Sequence, residues 1–178
     1  MEDGTEIIGR YILAFVESTG DVSPVFERKT RKIFAENGIA IEDVDEESWE
    51  DALNYVDTMH AIEDEVGEKT LHQAGVEQGK NVPWPDDVSS VMDGLQFLSE
   101  ADEAAHRAPS GNYRGQYIVS RVDESTARVG IREESPYPET DIEGVLEGAV
   151  NDLAGSSTAT VTTVDPDSGE RLAFELSW

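Results

Sequence analysis

Apolar residues recur every three to four positions through roughly the first 108 residues and every second position through much of the remainder. Between Glu6 and Glu17, the residues Ile7, Ile8, Tyr11, Ile12, Phe15 and Val16 fall at helical spacing, and Thr19-Gly20-Asp21 ends that run. Ser23 followed by Pro24 has the form of an N-cap with proline in the first turn, opening a second helix that stops at Asn37-Gly38. An acidic connector over 39–45, with a short extended stretch at Ile39–Ile41, leads to a third helix from about Ser48 to Val66, carrying Trp49, Leu53, Val56, Met59 and Ile62. Gly67 breaks it. Glu68–Lys80 continues as a helix interrupted by Gly75 and Gly79, and Asp87–Ala108 is a long helix whose last turn holds His106-Arg107.

After Pro109-Ser110-Gly111 the period becomes two. Tyr117 and Val119, then Ala127, Val129 and Ile131, alternate as a hairpin turning near Asp123-Glu124. Pro136-Tyr137-Pro138 is a rigid corner before a helix over Asp141–Ala154, and strands over Thr158–Val164 and Arg171–Trp178 follow, separated by the turn Asp165-Pro166-Asp167-Ser168-Gly169. Whether the Tyr137-Pro138 bond is cis or trans stays open. The order predicts an α+β domain over 1–178, an N-terminal helical layer packed on a C-terminal antiparallel sheet of β-β-α-β-β order. Helical and sheet subdomains are expected over about 1–108 and 112–178.

Charge changes this picture only at the surface. Asp and Glu number 39 against 13 Lys and Arg, a net charge of -26, yet 38% of positions are hydrophobic, enough to build a core. Molar salt shortens the Debye length to roughly 3 Å and screens the repulsion such a surface would generate in dilute buffer. Only four of the basic residues are Lys, and this usage resembles proteins of extremely halophilic archaea. The acidity is read as surface solvation, and it argues against nucleic acid. Arg28, Lys29, Arg31 and Lys32 are the one basic cluster, expected to pair with neighbouring carboxylates or to form a protein-contact patch. The acidic start and the lack of any apolar run of membrane-spanning length predict a cytoplasmic chain without membrane association.

The motifs exclude more than they assign. There is no cysteine, hence no disulfide, thiolate or cysteine-based metal site, and no H-E-x-x-H, G-x-S-x-G or glycine-rich phosphate loop. The pairs His60/Asp64 and Asp102/His106 stand at i, i+4 and are expected to be surface pairs, with no metal site. Gly144 and Gly148 allow their helix to pack closely, expected here against the sheet.

The segments His106-Arg107-Ala108-Pro109-Ser110-Gly111-Asn112-Tyr113 and Pro136-Tyr137-Pro138, with the block from Ser135 through Gly148 and the closing Trp178, resemble a prokaryotic branch of the superfamily of heme nitric oxide/oxygen-binding (H-NOX) and 4-vinyl-reductase-like domains. That branch usually has cysteine where this chain has Glu139. The resemblance implies a small apolar or aromatic ligand held between helices and sheet, with Trp84, His106, Tyr113, Tyr117 and Tyr137 as candidate wall residues. It also implies, as an alternative, heme with His106 as axial ligand, although the Tyr-x-Ser-x-Arg set that grips heme propionates has no match, the nearest segment reading Arg132-Glu133-Glu134-Ser135-Pro136.

The leading expectation is a non-enzymatic small-molecule-binding or sensory domain in a high-salt cytoplasm, with no catalytic residues and no cofactor required. The alternatives are a heme-based gas or redox sensor and a protein interaction module, acting with a protein partner or as a homodimer. The charge makes a first prediction. Circular dichroism in a KCl series should show a native chain at molar salt and unfolding near or below physiological ionic strength; equal stability across the series would overturn that reading of the surface.

Overall fold

The computed structural model describes residues 1–155 and 159–178. In chain order it contains β1 (Glu6–Ile8), α1 (Gly9–Val22), α2 (Pro24–Glu36), a 3-10 turn (Ile41–Asp43), β2 (Trp49–Asp51), α3 (Ala52–Val66), α4 (Glu68–Lys80), α5 (Val91–Ala105), β3 (His106–Arg107), β4 (Tyr117–Arg121), β5 (Thr126–Arg132), α6 (Glu139–Ala154), β6 (Thr160–Val164) and β7 (Glu170–Ser177). The α+β class and the β-β-α-β-β order of the second half are as expected. The larger sheet is antiparallel throughout in the order β4-β5-β7-β6, with Val129 opposite Phe174. Ala127, Val129, Ile131, Leu172, Phe174 and Leu176 are buried, and they join one core with residues of the helices such as Phe15, Phe34, Tyr55 and Met59.

The helical half differs from expectation by a small second sheet, β2-β1-β3, antiparallel on both sides of β1. Its strands are two or three residues long, too short to show alternation. Its formation moves several boundaries. Ile7 and Ile8 are strand rather than helix, and α1 starts at Gly9, whose N–H donates to the Ser48 carbonyl at 2.8 Å and whose missing Cβ leaves room for the Asp45 carbonyl. Trp49 lies in β2, so α3 begins only after Asp51, whose carboxylate accepts from the Leu53 and Asn54 N–H groups at 2.9 and 3.0 Å. The long helix expected over Asp87–Ala108 is cut at both ends. Ser90 caps α5 by accepting from the Asp93 N–H, and His106 turns to extended backbone (φ -120°, ψ 150°) to pair with β1. Ile39–Ile41 is not a strand; Ile41 opens the 3-10 turn. The expected start of a strand at Thr158 falls outside the described residues.

The glycines of α4 and α6 serve one purpose. Gly75 lies against Gly144 and Gly79 against Gly148, so the two helices run in the same direction with backbones in contact, and Gly144 and Gly148 pack on α4 rather than on the sheet. Among the described residues no helix is long and apolar enough to cross a membrane.

A Cβ on Gly79 would meet the Val145 carbonyl oxygen and the Ala149 amide nitrogen, neither of which can swing aside. Gly79→Ala should therefore cost about 1–3 kcal/mol, seen as a lower urea midpoint in molar KCl. An unchanged midpoint would show that the helices can separate without penalty.

Candidate functional site

His106 is placed by the two elements that meet at it. The last turn of α5 leaves carbonyls without helical partners, and the Asp102 carbonyl accepts a hydrogen bond from His106 Nδ1–H at 2.8 Å. β3 holds the backbone opposite Ile7. A carbonyl can only accept, so Nδ1 carries a proton; in the neutral ring Nε2 is then the acceptor, receiving the Tyr137 hydroxyl hydrogen at 2.6 Å. The Tyr113 ring stacks on the imidazole with centroids 4.5 Å apart.

Tyr137 is fixed as firmly as its partner. Its two prolines restrict the backbone, the Tyr137-Pro138 bond is trans, the His60 Nε2 lies 2.9 Å from the Pro136 carbonyl, and Arg171 donates to the Tyr137 carbonyl. The Asp102 carboxylate continues the network. It accepts from the Gln116 N–H at 2.7 Å and from the Tyr113 hydroxyl at 3.4 Å, and the Gln116 side chain in turn accepts from Ser135 at 2.9 Å. Gly115, at φ +69°, brings the loop close over Asp102. Burial pushes the Asp102 carboxyl up, opposed by the His106 ring and the Gln116 N–H. The Asp102/His106 pair is thus interior, not the surface pair expected, because α5 turns that face inward.

Beside this network is a cavity of about 450 Å³ between α1, the end of α4, α5, β4 and α6. Its apolar wall includes Ile8, Tyr11, Phe97, Leu98 and Val145, and its polar wall includes Asp102, His106, Gln116, Tyr117, Tyr137 and Asp141. Of the five candidate wall residues, His106, Tyr117 and Tyr137 are brought together here. Tyr113 stands behind His106 and lines a second hollow of about 520 Å³ rimmed by Glu2, Arg114, Arg132 and Glu134. Trp84 is elsewhere: Pro83 before it lines the cavity, but the Trp84 indole N–H donates to Asp152 of α6 at 2.8 Å and its ring packs on Phe97. Three of the four residues of the basic cluster on α2 are drawn into ion pairs, Lys29 with Glu65, Arg31 with Glu27 and Lys32 with Glu36.

Sequence reasoning missed Tyr55 and Asp141, both on the cavity wall. Tyr55 follows the expected inward position Leu53 by two residues, and its ring packs on Phe15, Phe34 and Tyr137. Asp141 is 7% exposed, and its Oδ1 is buried with no hydrogen-bond partner among the described residues. Burial, aided by the charge of Glu63, pushes its carboxyl up to about 7. Between about pH 4 and 7 the folded chain therefore keeps a proton here that the unfolded chain has lost, so this group's contribution to stability falls as pH rises and levels off above about 7. The stability of wild type relative to Asp141→Asn should fall across that window in molar KCl with a limiting slope of about 1.4 kcal/mol per pH unit. A flat difference would mean that Asp141 is ionised throughout.

No protein-family model matches the chain, and no curated protein matches its sequence. Solved structures do. A mutant of T. tengcongensis H-NOX superposes with a TM-score of 0.68 at 12% identity, over 96% of this chain and 97% of that one. An oxygen-binding H-NOX domain related to soluble guanylate cyclases, in its oxygen complex, gives 0.65 at 10% identity, over 96% and 94%. An H-NOX protein studied for the distortion of its heme gives 0.65 at 11%, over 97% and 95%. At these identities the likeness concerns architecture alone, and the chain has the H-NOX fold.

Proposed function

We propose that the chain is a non-enzymatic, sensory small-molecule-binding domain built on the H-NOX fold. The cavity of about 450 Å³ carries this reading: it is concave, largely apolar and bordered by a few fixed polar groups, the form that small-ligand sites take. Binding fits the site better than catalysis, since both His106 nitrogens are committed to the Asp102 carbonyl and the Tyr137 hydroxyl and neither is available to move a substrate proton. The net charge of -26 suits a salt-rich cytoplasm and a small molecule rather than nucleic acid as partner.

Heme at His106 is the second reading, favoured by the H-NOX neighbours and by the Nδ1 hydrogen bond to a backbone carbonyl, the arrangement that orients metal-bound imidazoles. Heme would supply an iron centre able to take a diatomic gas. The residues as arranged do not fit it. Nε2, the nitrogen that would face iron, accepts from Tyr137, and propionates would find one guanidinium, Arg10, against Glu17, Asp102 and Asp141 on the same wall.

Two measurements in molar KCl separate the readings. An apolar-body ligand library should raise the melting temperature of wild type by mass action and leave Ala101→Phe, which fills the cavity, unmoved. Hemin should keep the broad absorption of the unbound compound. A sharp Soret band abolished by His106→Ala would replace the leading reading with the heme reading, and no stabilisation by any ligand would remove the leading one.

A further inference from the structure

We propose that the cavity binds an amphipathic amine, with its apolar body against Tyr11, Phe97 and Val145 and its ammonium group paired with Asp141. This deepens the reading of the cavity as a ligand site and rests on it. The three carboxylates of the wall are not equivalent. Glu17 is exposed, and Asp102 is answered by the Gln116 N–H and the Tyr113 hydroxyl. Asp141, 7% exposed, has an Oδ1 that no described donor reaches. A buried acceptor without a partner is costly, and a ligand donor would remove that cost.

The charge of the donor follows from the rest of the wall. Arg10 is the one guanidinium among the lining residues and is already paired with Glu47 at 2.8 Å, half exposed, so an anionic head group would meet three carboxylates against one engaged cation. The rings of Tyr55, Tyr117 and Tyr137 line the same cavity, and the charge of Asp141 is felt at the hydroxyls of Tyr55 and Tyr117. A carboxylate bordered by aromatic faces suits a desolvated ammonium, which draws on both. A neutral alcohol would satisfy one oxygen and leave the charge unpaired.

One carbon skeleton with three head groups tests this. Isothermal titration of wild type with 4-phenylbutylamine, 4-phenylbutanol and 4-phenylbutyrate at pH 8 in molar KCl should rank the amine about tenfold tighter than the alcohol, with the acid weakest. Asp141→Asn should bring the amine within about twofold of the alcohol. The wild-type ranking decides even if that variant does not fold. Binding of the alcohol as tight as the amine would overturn the amine assignment and leave the cavity reading standing. Failure of all three to bind would overturn both.

Discussion

The backbone contact of α4 with α6 joins segments that lie about seventy residues apart in sequence, and it requires glycine at four places at once. Gly75 and Gly79 on one helix face Gly144 and Gly148 on the other, and a Cβ at any of the four would strike the opposing backbone. Two helices normally stand 8–10 Å apart because side chains hold them there. Without side chains at the seam, α6 comes close enough to lie between the sheet-bearing half of the chain and the helical half. The cavity depends on that approach, since α6 carries Asp141 and Val145 to its wall while α4 carries Gln78 from the facing helix.

The second constraint is the polar network that ends at His106. A buried imidazole is acceptable only when both nitrogens are partnered, and here one partner comes from the end of α5 and the other from a tyrosine thirty-one residues later in the chain. The network joins α5, the loop before β4 and the Pro-Tyr-Pro corner. It gives the cavity a stiff polar border, beside apolar lining from Ile8, Tyr11 and Phe97.

The buried carboxylates show how differently one functional group can be accommodated. Glu170 lies under Arg128 in a two-pronged ion pair at 2.9 and 2.6 Å, and Arg128 holds its carboxyl below the usual range. Asp102 is answered by neutral donors. Asp141 has an Oδ1 that no described donor reaches, and burial, aided by the charge of Glu63, raises its carboxyl to about 7. A structural pair, a fixed network and an unpaired group facing a cavity thus arise from side chains that are chemically the same.

The helices and strands of ordinary length were legible in the sequence because each buries a face set by its own periodicity: Ile12, Phe15 and Val16 on α1, Ile33 and Phe34 on α2, Val129 and Ile131 on β5. The Ser23-Pro24 cap was legible for the same local reason. The resemblance carried by His106 and Pro-Tyr-Pro was also in the residues, and it pointed to the fold the structure has. What tertiary structure decided is every feature whose partner lies far along the chain. The β2-β1-β3 sheet forms from three fragments too short to show a pattern, and pairing with β1 is what takes His106 out of its helix. Gly75 and Gly79 look like helix defects until Gly144 and Gly148 are set against them. Asp141 is one of 39 acidic residues, and nothing adjacent to it separates a solvated carboxylate from a buried one, because burial is a property of what folds over a side chain and not of the side chain itself.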